Sequence, residues 1–224
     1  MLTKSFNTLA FIILFFFSQK ELLSQEGYEI IYDSSYIFNI HPNLPSMIGR
    51  FCIFEAKEDN DPTNIYRISL YYLKDSSLFQ EIIDTSDYFN FNEDIIFSDF
   101  NFDGFQDISL VVFRDMRGQA LYDYWIFNPI KNLYELNYEY SGLLDCYVTL
   151  DSLTKTIISE CRGGCGGLCF HNSIYRVEQN QLILIEEIFT EQEIINDRSR
   201  IKIITRKLIN GEMEITDIQF IDEE

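Results

Sequence analysis

The side chains best suited to chemistry lie in one nine-residue stretch, residues 99–107, which reads Asp-Phe-Asn-Phe-Asp-Gly-Phe-Gln-Asp. Calcium takes six to eight hard oxygen ligands, and a tight loop can point alternate side chains inward toward the ion. Position 7 of such a loop contributes a backbone carbonyl, and position 6 is a glycine, here Gly104. The stretch therefore predicts a Ca²⁺ site formed by Asp99, Asn101, Asp103, Phe105 and Asp107. The alternative interpretation is an Asx-rich turn without metal.

The residues around this loop distinguish it from an EF-hand. Position 12 would be Leu110, where an EF-hand supplies a bidentate Glu. Both flanks, residues 93–98 and 108–113, are rich in β-branched and aromatic residues, which favours strands over helices. The intervening Phe100 and Phe102 are free to pack. We therefore expect the loop to join two strands.

The rest of the sequence predicts an all-β fold, either an antiparallel β-sandwich or a small propeller-like meander. About fourteen short runs of strand-forming residues alternate with turns. The Asn210-Gly211 dipeptide is the strongest hairpin signal. A short helical turn is expected near residues 190–193. The predicted strands cover residues 28–40, 48–56, 65–73, 78–83, 93–98, 108–113, 122–127, 133–138, 143–150, 155–159, 170–177, 182–189, 201–208 and 212–220.

The first 25 residues are typical of an export signal. Lys4 precedes an apolar run at residues 9–17, which is too short to cross a membrane as a helix, since that needs about 20 residues. We expect cleavage after Ser24, which leaves residues 26–224 as a single domain, periplasmic or extracellular. A buried N-terminal strand or an uncleaved anchor are the alternatives.

Five cysteines in an exported chain favour disulfides with one thiol left over. Three of them surround a glycine-rich loop close to His171, at spacings that differ from the common C-x-x-C zinc pattern. This predicts a loop held by disulfides, with a metal cluster as the alternative. The pairing stays open among Cys52, Cys146, Cys161, Cys165 and Cys169.

The charge balance restricts the class of partner. With 36 acidic and 17 basic residues, the chain has a net charge of −19, which repels nucleic acid and anionic membranes. Such a surface attracts a basic protein. The alternative is that the acidity serves solubility alone.

The sequence offers little for catalysis. It has two histidines, His41 and His171, and it contains neither a G-x-S-x-G nor an H-E-x-x-H motif. We therefore expect a noncatalytic protein. A glycosidase that uses a carboxylate pair is the enzyme class left open.

The order of features from residue 65 to residue 175 resembles a bacterial periplasmic family with a single integrin-like (FG-GAP-like) calcium loop. The features are the D-x-N-F-D-G-x-x-D loop at 99–107, an aromatic stretch containing Tyr122 and Trp125, and a Ser-x-x-Arg-Gly-Gly loop at 159–164. The family looks related to periplasmic lysozyme inhibitors and to immunity proteins against peptidoglycan hydrolases. The resemblance implies an exported calcium-binding protein that binds a basic lysozyme or peptidoglycan hydrolase as an inhibitor or immunity factor.

One inhibitory motif of related lysozyme inhibitors is incomplete here. Those proteins insert a Ser-Gly-x-x-Tyr loop into the enzyme cleft, whereas Ser141 and Gly142 are followed by Leu143, Leu144 and Asp145. A different functional class is therefore retained, a calcium-dependent glycan-binding or adhesion module. In that class, aromatic residues near Tyr122 and Trp125 would stack on sugar rings.

Overall fold

The computed structural model describes residues 28–56, 64–86, 95–164, 168–195 and 198–222. The predicted signal peptide, residues 1–25, lies outside these ranges, and so does Cys165. The loop predicted to bind calcium, residues 99–107, and the two strands that it joins lie within them.

The described residues form fourteen strands and one short helix, which confirms the all-β prediction. The elements are β1 (Tyr28–Phe38), β2 (Met47–Ala56), β3 (Asn64–Tyr72), β4 (Leu78–Ser86), β5 (Ile95–Ser98), β6 (Asp107–Arg114), β7 (Ala120–Asn128), β8 (Leu133–Leu136), α1 (Tyr138–Leu143), β9 (Tyr147–Asp151), β10 (Thr156–Arg162), β11 (Phe170–Glu178), β12 (Gln181–Ile195), β13 (Arg198–Ile209) and β14 (Glu212–Asp222). No helix in this part of the chain is long and apolar enough to cross a membrane.

The strands form three antiparallel sheets, in the orders β1-β2-β3-β4, β5-β6-β7-β8 and β14-β13-β12-β11-β10-β9. Within each sheet, strands that are consecutive in the sequence lie next to each other, so each sheet is a meander. Asn210 and Gly211 both have positive φ at the turn between β13 and β14, as a type I′ hairpin turn requires. That predicted hairpin is confirmed.

The described part of the chain divides into two compact units. The first contains the described residues up to 95 together with 127–134, and the second contains 96–126 and the described residues from 135 onward. In the first unit, the sheet β1-β2-β3-β4 buries apolar side chains such as Phe51, Tyr66 and Leu70. A bidentate ion pair joins β2 to β1. Nε and Nη2 of Arg50 donate to Oδ1 and Oδ2 of Asp33 at 3.0 and 2.9 Å.

The core of the second unit lies between the loop of residues 99–106 and the six-stranded sheet. Phe100, Tyr124 and Tyr140 pack there against Ile157 of β10 and Tyr175 of β11. The rings of Phe100 and Tyr124 meet edge to face, with centroids 4.9 Å apart. This aromatic packing fixes the loop relative to the sheet.

Two local predictions were wrong. Residues 190–193, expected as a helical turn, belong to β12, whose pairing with β13 continues to its end. The helix lies instead at α1, where Asn137 caps it by accepting hydrogen bonds from the N–H groups of Glu139 and Tyr140. The strand expected at 143–150 consequently begins only at Tyr147.

Candidate metal-binding loop

The loop of residues 99–106 joins β5 to β6, as the sequence predicts. Gly104 has φ +93°, a conformation that a residue with a Cβ rarely adopts. Phe100 is buried in the core of the second unit, and Phe102 packs against that core. The two phenylalanines anchor the loop, and the polar side chains between them are left to face one another.

Asp99 organises the turn through both of its carboxylate oxygens. Its Oδ1 accepts a hydrogen bond from the N–H of Asp103 at 3.0 Å, and its Oδ2 accepts one from the N–H of Gly104 at 2.9 Å. Asp103 repeats this arrangement, since its Oδ1 accepts from the N–H of Phe105 at 2.9 Å. The backbone thus holds the carboxylates of positions 1 and 5 in fixed directions.

The side chain of Asn101 lies among oxygen atoms. It is almost completely buried, at 5% exposure. Its amide nitrogen donates to Oδ2 of Asp103 at 2.8 Å and to Oδ1 of Asn180 at 3.2 Å. The positive end of the amide dipole therefore lies among oxygen atoms, at a position that a cation would also favour. The Oδ1 of Asn101 accepts a hydrogen bond from the N–H of Asp103 at 3.2 Å. Turning the amide over would exchange that hydrogen bond for an oxygen that faces such a cation.

Asp107 closes the loop from the first position of β6. Its side chain is completely buried, and Oδ2 accepts a hydrogen bond from the N–H of Phe100 at 2.9 Å. A carboxylate removed from water in this way needs compensating hydrogen bonds or a cation. Phe105, the predicted carbonyl donor, is half-buried beside it and donates its own N–H to Asp103.

Tyr140 of α1 adds a buried polar atom beside the loop. The residue is fully buried, and its hydroxyl has no hydrogen-bond partner among the described residues. Burial, followed by the negative charges of Asp107, Glu139, Asp103 and Asp99, raises the pKa of Tyr140 above its ordinary value. The hydroxyl therefore lies within the field of the loop carboxylates.

Sequence reasoning missed the contribution of Asn180 and of α1. Asn180 lies in the turn between β11 and β12, 79 residues after Asn101. Glu139 of α1 joins the same region, since its Oε1 accepts from the N–H of Leu182 at 2.9 Å. The sequence marks Asn180 as a turn residue but carries no signal that this turn meets the loop.

The disulfide prediction for the cysteine-glycine region is confirmed. Cys146 and Cys161 are bonded to each other, and Cys169 also takes part in a disulfide. Asp145 lies beside the first pair, but both sulfurs are consumed by the disulfide and are not thiolate ligands. In the described part of the chain, Cys52 is the free thiol, and it is buried.

His171 lies on β11 and faces an open pocket of about 480 Å³. Its Nε2 is 2.8 Å from Oε1 of Glu187 and 3.4 Å from the hydroxyl of Ser173. A nucleophile, base and orienting acid must engage the two different ring nitrogens of the base. Because Ser173 and Glu187 share one nitrogen, these three residues are not arranged as such a triad.

Ser141 and Gly142 lie inside α1. The hydroxyl of Ser141 accepts a hydrogen bond from the N–H of Tyr124 at 3.0 Å, which ties the helix to β7. Ser141 and Gly142 are therefore part of a helix that is tied to the fold, and the tyrosine of the inhibitory motif does not follow them.

Comparison with known proteins gives one informative structure. No family model matches the chain, and no curated protein matches it. The chain is similar to the solved structure titled "Structure of a Xanthomonas Type IV Secretion System related protein", with a TM-score of 0.51 and 16% sequence identity. The alignment covers 83% of this chain and 99% of that chain. At this identity the similarity shows a shared fold.

Proposed function

We propose that this chain is an exported, noncatalytic, calcium-binding protein of the bacterial envelope that binds a basic protein partner. The partner class that the sequence resemblance indicates is a lysozyme or peptidoglycan hydrolase, held as an inhibitor or immunity factor. Calcium, when bound, would neutralise the loop carboxylates and stiffen the turn.

The observation that carries the calcium proposal is the convergence of oxygen-bearing side chains on one turn. Asp99, Asn101 and Asp103 are linked by hydrogen bonds within the loop. Asp107 is buried against its start. Carboxylate and amide oxygens are the ligands that Ca²⁺ prefers, so the donor set fits this ion.

Two observations support an envelope location. Disulfides persist in oxidising compartments outside the cytoplasm, and the second unit contains the pair Cys146–Cys161. The structure with a shared fold is titled as a Xanthomonas type IV secretion system related protein, which supports a bacterial envelope location. Both fit the export signal expected at residues 1–25.

The partner proposal rests on charge. The chain carries 36 acidic against 17 basic residues, and its basic side chains on β13 already pair with acids of β12. The remaining acids give a negative field that accelerates encounter with a basic protein, and this attraction weakens as salt rises.

The experiment is a titration of the purified chain against a basic muramidase, with turnover of cell-wall substrate as the readout. We expect inhibition in calcium that declines with a chelator and with increasing salt. An acidic protein of similar net charge controls for nonspecific attraction. Absence of inhibition at micromolar excess in calcium would exclude lysozyme inhibition.

A glycan-binding function is the second candidate, because the second unit has an aromatic pocket. A cavity of about 380 Å³ is lined by Tyr122, Tyr124 and Tyr147 together with Ser98 and Ser109. Tyr124 is buried, but Tyr122 is half-buried and Tyr147 is exposed. The rings of Tyr122 and Tyr147, with the nearby hydroxyls, suit stacking and hydrogen bonding to a sugar. Binding on a glycan array that is lost in Tyr147→Ala would favour this function over inhibition.

A further inference from the structure

β14 is one of the two edge strands of the six-stranded sheet, and β9 is the other. In the described residues β14 neighbours β13 on one side and ends the strand order on the other. The strand is 11 residues long, and residues 214–221 are all exposed. The outer row of backbone N–H and C=O groups on such a strand is a template for a further strand.

The strand lacks some of the features that normally block edge pairing, although it carries acidic side chains and one bulge. It contains neither proline nor lysine, two residues that commonly protect edges. One irregularity interrupts it, a register shift that leaves Thr216 without a direct partner on β13. Large apolar side chains are left half-exposed on it, with exposures of 57, 43, 49 and 47% at Ile215, Ile218, Phe220 and Ile221.

Charge alternates from strand to strand toward this edge. Acids of β12 pair with bases of β13: Arg200 Nη2 is 2.7 Å from Glu193, Arg206 Nη1 is 3.0 Å from Glu187, and Lys207 Nζ is 3.2 Å from Glu186. β14 is acidic again, with Glu212, Glu214 and Asp217.

The basic strand β13 lies between two acidic strands, β12 and β14. Lys207 stands opposite both Glu186 of β12 and Glu214 of β14, and its ion pair is with Glu186. A further strand beside Glu214 would continue this alternation if it carried positive charge.

We propose that β14 is a docking edge for an extended basic segment of another protein, in which Lys or Arg alternates with β-branched residues. The segment would add as a strand, with main-chain hydrogen bonds to β14 and with cations beside Glu212 and Glu214. A second copy of this chain is disfavoured as the occupant, because its own edge strand is acidic. The inference deepens the proposed function, and it rests on that function for the partner's positive charge.

The sequence of β13 itself supplies the probe, since this strand already pairs with two acidic strands. A labelled peptide copying Arg198–Ile209 is titrated with the full chain, and fluorescence anisotropy is measured at low and physiological salt. The matched control peptide carries Glu at every Lys and Arg position. We expect saturable binding of the basic peptide that weakens with salt, and at least tenfold weaker binding of the acidic one.

Two further measurements locate the site. Hydrogen exchange should show the peptide protecting amides of β14. The double variant Glu212→Lys/Glu214→Lys should lose at least tenfold in affinity for the basic peptide. The control Glu160→Lys/Glu178→Lys makes the same charge change at exposed acids of β10 and β11 and should keep the affinity. Melting curves verify that both variants fold.

Equal binding of the two peptides, protection outside β14, or equal losses in the two double variants would overturn the inference. So would a β14-dependent dimer of the chain in sedimentation. Muramidase inhibition without peptide binding would overturn this inference and leave the proposed function standing. Peptide binding without muramidase inhibition would leave this inference standing and overturn the proposed lysozyme inhibition.

Discussion

The amide of Asn101 donates to Oδ1 of Asn180 at 3.2 Å, across 79 residues of sequence. This contact joins the acidic loop to the turn between β11 and β12. Asn180 has φ +65°, a conformation that asparagine tolerates better than most residues. The hairpin turn is therefore shaped so that a side-chain oxygen meets the loop.

Replacing Asn180 tests this contact. Asn180→Gly keeps the positive φ and removes the side-chain oxygen, so we expect a loss of about 1 kcal/mol in unfolding free energy and weaker calcium binding. Asn180→Ala should lose more, because alanine is strained at positive φ by about 1 kcal/mol. Urea unfolding and calcium titration measure both effects. Equal calcium affinity in the wild type and in Asn180→Gly would show that the oxygen plays no part in the site.

The Cys146–Cys161 disulfide should stabilise the second unit. The bonded cysteines are 15 residues apart, and closing a loop of that size contributes about 3 kcal/mol in the chain-entropy model. We expect Cys146→Ser/Cys161→Ser to lower the urea unfolding free energy by about that amount. The control is Cys52→Ser, which leaves the disulfide intact. An unchanged free energy in the double variant would mean that the bond is absent or without effect on stability.

Glu187 should make stability depend on acid pH. Burial alone would raise the pKa of Glu187, but hydrogen bonds from Arg206 and His171 outweigh it and hold that pKa below its ordinary value. The stabilisation is therefore present above the unfolded value of about 4.3 and is lost as pH falls through the lower folded value. As pH decreases from 6 to 2, the urea midpoint of unfolding should fall less steeply in Glu187→Gln than in the wild type. Parallel curves for the two proteins would contradict this.

Cys52 should resist labelling in the native state. Burial raises the pKa of the Cys52 thiol to about 12, despite the opposing charge of Arg50. At pH 8 about one thiol in ten thousand is then ionised, and the thiolate is the reactive form. We expect slow reaction with a disulfide reagent in buffer, fast reaction in urea, and none in Cys52→Ser. Rapid labelling of the native wild type would show that the thiol is accessible.

Local features were predictable from the sequence, and long-range ones were not. The strands around the loop, the positive φ of Gly104 and the Asn210-Gly211 hairpin depend on residue type within a few positions, so their patterns are visible in the sequence. α1 was missed because it has only six residues and depends on the cap at Asn137 and on burial of Tyr140. The strand character of residues 190–193 comes from pairing with β13, which overrides the local preference.

The candidate site shows the same division. Asp99, Asn101, Asp103 and Asp107 were identified because their spacing is local and matches the geometry of a calcium loop. Asn180 and Tyr140 reach the loop only through the packing of β12 and α1 in the second unit. No spacing rule connects positions so far apart in the chain.

Calcium titration by calorimetry tests the central claim most directly. Wild type, Asp103→Ala and Asp115→Ala are compared, because Asp115 also accepts N–H groups within a turn, from Arg117 and Gln119, but lies outside the loop. We predict saturable binding in wild type and in Asp115→Ala, and its loss in Asp103→Ala. Calcium at a hundred times the Kd should add about 2.7 kcal/mol to stability, seen as a higher Tm than in chelator. Absence of binding at millimolar calcium, or unchanged binding in Asp103→Ala, would contradict the account.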